Sequence, residues 1–282
     1  MRIAFFGTPD LAVSTLQELQ IFGIIPELIV TTPDASVGRK QVITPPPVKI
    51  WAEALGIPTF QPTTLKDPNQ LTSLTDQTWD LFVVFAYGKI IPEWLLQLPK
   101  YGTINAHPSL LPKLRGASPI RSTLLTDLSA AGVTIIQMDK ELDHGPILCQ
   151  QSVNLPTPIL GRDLDKTLSL ICGDLLAHVI QELPKGTIHP TPQDHSQATF
   201  CTKINKEMAE LNLDPHNLPT GEAALEAYCK ICAFDLWPEA YFIHNGKRIK
   251  IKAAHLDESG KLQITKIVPE GKKEMEFSAY FS

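Results

Sequence analysis

The sequence predicts an α/β chain: a larger domain of alternating strands and helices around a buried sheet, followed by a small β-rich domain. Three observations predict it. Short apolar runs recur between stretches of helical spacing over the first two thirds of the chain, the pattern of strands joined by crossover helices. One of those runs, Leu81-Phe82-Val83-Val84-Phe85-Ala86, is apolar without a break, as a strand buried on both faces requires. Near Pro184-Lys185-Gly186 the composition turns polar and turn-rich, and beyond it come one helical stretch and several short strands. The resulting boundaries are residues 1–188 for the first domain, 189–206 for a linker and 207–282 for the second.

In order along the chain, Arg2 to Phe6 reads as a strand, and Gly7-Thr8-Pro9 ends it. Thr8 suits an N-cap and Pro9 a first helical position. Leu11, Thr15, Leu16 and Leu19 then repeat at helical spacing before the strand Leu28-Ile29-Val30, an economical right-handed βαβ unit. Residues 33–47, with Asp34, Gly38, Arg39, Lys40 and three consecutive prolines, read as a long exposed loop. A helix follows from Val48 to Leu55 and a short strand at Thr59-Phe60. After the central apolar run, Tyr87-Gly88 makes a turn, Ile91 to Leu98 a short helix, and a further strand leads into His107. Pro119 to Leu128 suits a helix, and Val133 to Asp139 and Ile147 to Leu155 suit strands of an antiparallel or mixed kind. From Leu164 to Leu183, residues Leu164, Leu168, Ile171, Leu175 and Val179 share one helical face. In the second domain a helix is expected from Gly221 to Phe234, with strands at Ala240–His244, Arg248–Ala253 and Leu262–Ile267.

Bulk properties bound the function. The 282 residues are 43% hydrophobic and 20% charged, ordinary values for a soluble globular protein. A net charge of −5 argues against a generally basic nucleic-acid coat, but not against a local patch. One such patch is present: eight basic residues (Lys247, Arg248, Lys250, Lys252, Lys261, Lys266, Lys272, Lys273) stand against three acidic ones between His244 and Lys273. That is either a solvated face or a phosphate-contacting surface. The five cysteines are scattered, and Cys229-Lys230-Ile231-Cys232 lacks the second pair that a tetrahedral zinc site needs. Its i, i+3 spacing suits helix packing, and no metal is expected. No run approaches the roughly 18 apolar residues of a membrane span, so a cytoplasmic location without membrane contact is expected; a monomer is expected as well.

The chemistry concentrates in Asn105-Ala106-His107-Pro108-Ser109-Leu110-Leu111-Pro112 and, downstream, Leu142-Asp143-His144-Gly145. Ile104 and Ala106 alternate with Asn105 and His107, so the two polar side chains share one strand face. Pro108 stops the ladder because proline has no N–H to pair. An amide, an imidazole and a carboxylate suit attack of an amine on a formyl or acyl carbon, which needs donors for the oxyanion and groups that accept and return a proton. No serine has a motif that would make it a nucleophile, which favours direct transfer. No G-x-G-x-x-G or phosphate-cradling Walker loop is present. Taken singly, a histidine after a strand is more often structural and an Asp-x-Gly more often a turn.

Together, N-A-H-P-S-L-L-P-K-L-R-G-A-S-P (residues 105–119) and L-D-H-G (142–145) resemble the signature of the folate-dependent formyltransferases. F-x-G-T-P at 5–9, T-x-P-D at 31–34, P-x-P-V-K at 45–49, L-W-P-E-A at 236–240 and P-E-G-K-K-E-M at 269–275 resemble the branch acting on methionyl-tRNA. The resemblance implies a Rossmann-like catalytic domain followed by an OB-like barrel, here shortened, that helps hold tRNA. It implies catalytic roles for Asn105, His107 and Asp143. It implies folate contacts from Phe85, Ala86, Tyr87, Gly88, Ile91, Ser109, Leu110, Leu111 and Pro112, with 10-formyltetrahydrofolate as the formyl donor. It implies tRNA contacts from Arg39, Lys40, Lys203, Lys247, Arg248, Lys272 and Lys273, with methionyl initiator tRNA as partner. His144 departs from the pattern, which more often has a small or acidic residue there. Two alternatives remain at this level: a formyltransferase acting on a sugar nucleotide or glycinamide ribonucleotide, and a noncatalytic RNA-binding module on the same fold.

Overall fold

The computed structural model describes residues 1–38, 41–155 and 157–281, so Arg39 and Lys40 lie outside the described residues. The chain divides into two units. The first holds residues 1–117, 132–152 and 166–200, and the second holds 118–131, 153–165 and 201–282. This division differs from the boundaries drawn on sequence. Residues 189–200 belong with the first unit, where Gln193 is buried, and two short internal segments belong with the second.

The first unit is built on a seven-stranded sheet. Its elements begin with β1 (Ile3–Phe6), α1 (Asp10–Ile21), β2 (Leu28–Val30), the hairpin β3 (Ala35–Val37) and β4 (Val42–Thr44), α2 (Pro47–Ala54) and β5 (Thr59–Phe60). There follow α3 (Thr72–Thr75), β6 (Leu81–Val84), α4 (Glu93–Leu96), β7 (Thr103–His107), β8 (Arg115–Gly116) and, after α5 (Pro119–Thr126) of the second unit, β9 (Gly132–Gln137) and β10 (Ile147–Ser152). The strand order is β10-β9-β7-β6-β1-β2-β5. From β7 through β5 neighbours pair in parallel, whereas β9 and β10 run antiparallel. The helix α6 (Gly161–Glu182) is the long amphipathic segment expected from its apolar stripe. Every residue of β1 and β6 is buried, as a strand covered on both faces must be.

Phe6, Phe82, Trp79, Tyr87, Leu71, Leu74 and Leu95 form one cluster on this sheet. The Phe6 ring stands 5.1 Å from Phe82 and edge-on to Tyr87 at 5.5 Å, geometries that aromatic quadrupoles favour. Two expectations are corrected here. Residues 33–47 are not all loop, because β3 and β4 pair within them. Thr8 does not cap α1: the helix starts at Asp10 after Pro9, and the Thr8 hydroxyl donates instead to the Tyr87 carbonyl. A side chain that can cap its own helix was taken by the turn after β6, 79 residues away.

In the second unit, α7 (Gly221–Ala233) packs with α5 and with an antiparallel sheet. That sheet comprises β12 (Tyr241–His244), β13 (Lys247–Leu256), β14 (Leu262–Pro269) and β15 (Met275–Glu276), numbered after β11 (Phe200–Cys201), and the short helix α8 (Phe277–Tyr280) follows. The sheet is open, in the order β12-β13-β14-β15, and among the described residues β12 and β15 do not pair to close a barrel. Cys232 is buried and Cys229 half-buried on α7, which is helix packing. Among the described residues no helix is long and apolar enough to cross a membrane.

Candidate active site

Parallel pairing of Val84 with Asn105 aligns the ends of β6 and β7, and antiparallel pairing of His107 with Thr134 fixes the other side. Asn105 and His107 therefore project from one face at the carboxyl end of the sheet, where α/β folds place ligands. Both are buried. Asp143 joins them from the turn after β9. Its Oδ1 lies 3.5 Å from Asn105 Nδ2 and 3.6 Å from His107 Nδ1. Its Oδ2 accepts the Gly116 backbone N–H at 2.8 Å. The three residues singled out on sequence are thus brought together.

The other imidazole nitrogen is also held. His107 Nε2 lies 2.9 Å from the Leu114 carbonyl, and a carbonyl can only accept, so Nε2 carries a proton. The nitrogen facing Asp143 is then Nδ1, a donor when the ring is charged and an acceptor when it is neutral. Both imidazole nitrogens are thus engaged within the protein: Nε2 is committed to Leu114, and Nδ1 is turned to the carboxylate. Asn105 Nδ2 reaches Asp143 alone among the described residues, so its second N–H is free for a substrate oxygen.

The loop after β7 is pinned from below. The Thr134 hydroxyl accepts from the Leu111 N–H at 3.1 Å and donates to the Ser109 carbonyl at 2.7 Å, and Gln150 donates to the Leu111 carbonyl. The Ser109 hydroxyl is itself spent on the Lys113 carbonyl. Ser109 and Leu111 are buried, and Leu110 and Pro112 half-buried. Of the stretch after β6, Phe85, Tyr87 and Ile91 turn into the protein, while Ala86 and Gly88 are exposed with left-handed φ of 51° and 82°. That leaves the Ala86–Gly88 turn as the part of this stretch open to a ligand.

Among the described residues the buried Tyr87 hydroxyl has no partner, and burial pushes its pKa from the ordinary 10 up to about 12. An unsatisfied buried hydroxyl costs on the order of 1 kcal/mol or more, so Tyr87→Phe is expected to raise the melting temperature. The raised pKa means that wild-type stability is full below pH 10 and falls as pH climbs from 10 to about 12. Subtracting the Tyr87→Phe stability curve from the wild-type curve should isolate that alkaline loss.

A separate cleft of about 540 Å³ opens on the first unit, lined by Thr8, Val13, Thr32, Pro46, Ile50 and Trp51. None of Asn105, His107 and Asp143 lines it. This cleft and the Asn105–His107–Asp143 cluster are therefore distinct. Among the described residues no cluster of three or more His, Cys, Asp or Glu side chains is placed to hold a metal ion.

Six of the eight basic residues of the patch fall into two groups. Lys250 and Lys252 both pair with Glu239, so part of the charge excess is spent internally. Lys247, Arg248, Lys272 and Lys273 are exposed. The β13–β14 register sets Ile249 against Pro269, and the Glu270 N–H donates to the Arg248 carbonyl. The start of β13 and the turn at residues 270–273 therefore share one end of the sheet. Arg248 lies over the Tyr241 ring and Lys272 over Tyr280, at 4.0 and 4.7 Å. Lys203 is exposed on the segment before the sheet.

Sequence reasoning missed Leu114, Arg115, Gly116 and Gln193, which hold the site by backbone and side-chain hydrogen bonds. Arg115 lies inside a motif that was read, but Gln193 lies in the presumed linker and carries no local signal.

The sequence profile of the formyl transferase family matches residues 1–164, and that of the formyl transferase C-terminal domain matches 221–262. A methionyl-tRNA formyltransferase of Macrococcus caseolyticus is 36% identical over 304 aligned positions, covering 99% of this chain and 94% of that protein. Another, of Halalkalibacterium halodurans, is 38% identical and covers 98% and 92%. Among solved structures, an N-formyltransferase of Helicobacter canadensis in complex with folinic acid and dTDP-3-aminofucose has a TM-score of 0.65. It is 17% identical, covers 91% of this chain and 89% of its own, and bears on the fold alone. With its catalytic-domain match and its near full-length identity to these relatives, the chain belongs to the formyltransferase family, in its methionyl-tRNA formyltransferase branch.

Proposed function

We infer that the protein transfers the formyl group of 10-formyltetrahydrofolate to the α-amino group of methionine on initiator tRNA. The observation that carries the reading is the convergence of Asn105, His107 and Asp143 at one strand end, in a chain of this family. The residues present fit a folate-borne formyl group: an uncommitted amide N–H at Asn105 and an exposed backbone turn at Ala86–Gly88 stand at the ends of paired strands. When bound, the folate supplies an electrophilic formyl carbon on a nitrogen able to leave.

Asn105 donates its free N–H to the formyl oxygen and stabilises the negative charge that develops as the amine attacks. The Asp143 carboxylate accepts the proton that the attacking nitrogen must lose, directly or through one water. His107, fixed by Leu114, faces Asp143 through Nδ1 and in its charged form steadies the carboxylate. As the carbon–nitrogen bond to the folate breaks and the carbonyl re-forms, Asp143 returns the proton to the leaving nitrogen and is ionised again.

The deciding experiment is formyl transfer from the folate donor to methionyl-charged initiator tRNA, beside uncharged tRNA and an amino-sugar nucleotide. Transfer to the charged tRNA alone supports the reading. Transfer only to the sugar amine overturns the acceptor, and absence of transfer to any amine overturns the enzyme. The basic sheet end carries its own expectation: Lys272→Ala with Lys273→Ala should lower the slope of log affinity against log salt by about 2, since each phosphate contact contributes about 1. Filter binding from low to moderate salt measures it.

A further inference from the structure

Gln193 is buried, and every hydrogen-bonding position of its amide is used. Its Oε1 accepts from Arg115 Nε at 3.2 Å and from Arg115 Nη2 at 2.6 Å. Its Nε2 donates to the Asp143 carbonyl at 2.9 Å and to the Gly145 carbonyl at 2.7 Å. Arg115 also donates to His195 Nδ1 at 2.8 Å. An arginine only donates, so that nitrogen accepts and its imidazole is neutral in this arrangement. The His195 ring lies flat against His144, with centroids 4.0 Å apart and planes 3° from parallel. His144 is tied in turn to Asp139, Nδ1 to Oδ2, at 2.7 Å. Three consecutive residues of the turn, Asp143, His144 and Gly145, are thus each held by a residue anchored on Arg115. The backbone on either side of Arg115 holds the reactive pair, with the Leu114 carbonyl on His107 and the Gly116 N–H on Asp143.

Asp143 has a left-handed φ of 50°, uncommon for a residue other than glycine though aspartate reaches it more readily than most, and the Gln193 amide bonds the carbonyls of Asp143 itself and of Gly145 beyond it. We propose that Gln193, anchored on the buried Arg115, is a positioning residue that imposes this conformation and so sets the Asp143 carboxylate against His107 and Asn105. This rests on the proposed formyl transfer. Gln193 touches no reacting atom; it acts through Asp143. A shift of about 1 Å in such a group costs about 100-fold in rate.

The test is a double-mutant cycle with Gln193→Glu and Asp143→Asn. Glutamate is isosteric and keeps the contact with Arg115, but it has no N–H for the two turn carbonyls. Gln193→Glu should lower kcat by about 10- to 100-fold, with KM for donor and acceptor within about twofold of wild type. In the Asp143→Asn background the same change should cost almost nothing further. A wild-type kcat, or losses that multiply in the double variant, overturns the proposal. Gln193→Met, which keeps the volume and loses all four hydrogen bonds, replaces Gln193→Glu where the latter fails to fold. A readout independent of turnover separates failure of the proposal from failure of the functional reading: the His107 imidazole ¹⁵N resonances should move in the Gln193 variant, and unchanged resonances overturn the proposal whatever the acceptor is. Where the wild-type enzyme formylates a different amine, the cycle is read on that amine.

Discussion

Replacing Asp143 with asparagine should lower kcat by about 10²- to 10⁴-fold, the range a positioned proton-transfer group supplies. The substitution is nearly isosteric. An asparagine oxygen can still accept the Gly116 N–H that Oδ2 accepts at 2.8 Å, and Gln193 still grips the turn through its carbonyls. What disappears is the negative charge beside His107 Nδ1 and the carboxylate to which the proton transfer is assigned. A loss of about 10³ corresponds to about 4 kcal/mol of transition-state stabilisation. It should appear in single-turnover formyl transfer at saturating donor and tRNA, with KM for both close to wild type. Circular dichroism and the melting temperature should change little. An Asp143→Asn protein within a few-fold of wild-type kcat would remove Asp143 from the proton path and leave Asn105 as the principal stabilising group.

Parts of this site are written locally in the sequence and parts are not. The face shared by Asn105 and His107 follows from the period of two in a strand, and the strand from Ile104, Ala106 and the proline that ends it. The central strand β6 is legible because burial on both faces leaves no room for a polar residue between Leu81 and Val84. Asp143 is another matter. It lies 38 residues beyond Asn105 and was placed in the site by the motif it shares with a family, not by any periodicity. The hairpin β3–β4 was hidden among prolines and glycine, residues that locally argue for loop. Gln193 was invisible for a deeper reason. A polar, turn-rich stretch has the same local pattern whether it is a solvated linker or is packed against a buried guanidinium, and only Arg115, 78 residues away, decides between them. The same distance effect took Thr8 from its helix. Local rules fail here where a side chain has a stronger long-range partner than a neighbouring one.

Gly145→Ala should be the most disruptive single-methyl change near the site. A Cβ at this position would stand 1.8 Å from the Gln137 carbonyl oxygen and 3.0 Å from its carbon. Both are backbone atoms, so no side-chain rotation relieves the clash. Gln137 cannot retreat easily, because its N–H donates to the Pro146 carbonyl at 3.0 Å and its side chain to the Thr103 carbonyl at 3.0 Å, tying it to the neighbouring strand. The turn must move instead, and the turn carries Asp143. Moving it lengthens the Gln193 contact to the Gly145 carbonyl and draws the carboxylate off the Gly116 N–H. Overpacking of this kind costs about 1–3 kcal/mol of stability, whereas misplacement of the carboxylate by about 1 Å costs about 100-fold in rate. Well below its melting temperature, Gly145→Ala should therefore be folded yet at least about 100-fold slower in kcat. Adding Asp143→Asn to it should bring little further loss, since the carboxylate is already out of place. A folded Gly145→Ala protein with wild-type kcat would mean that the turn has room the close approach to Gln137 denies, and that Asp143 tolerates displacement.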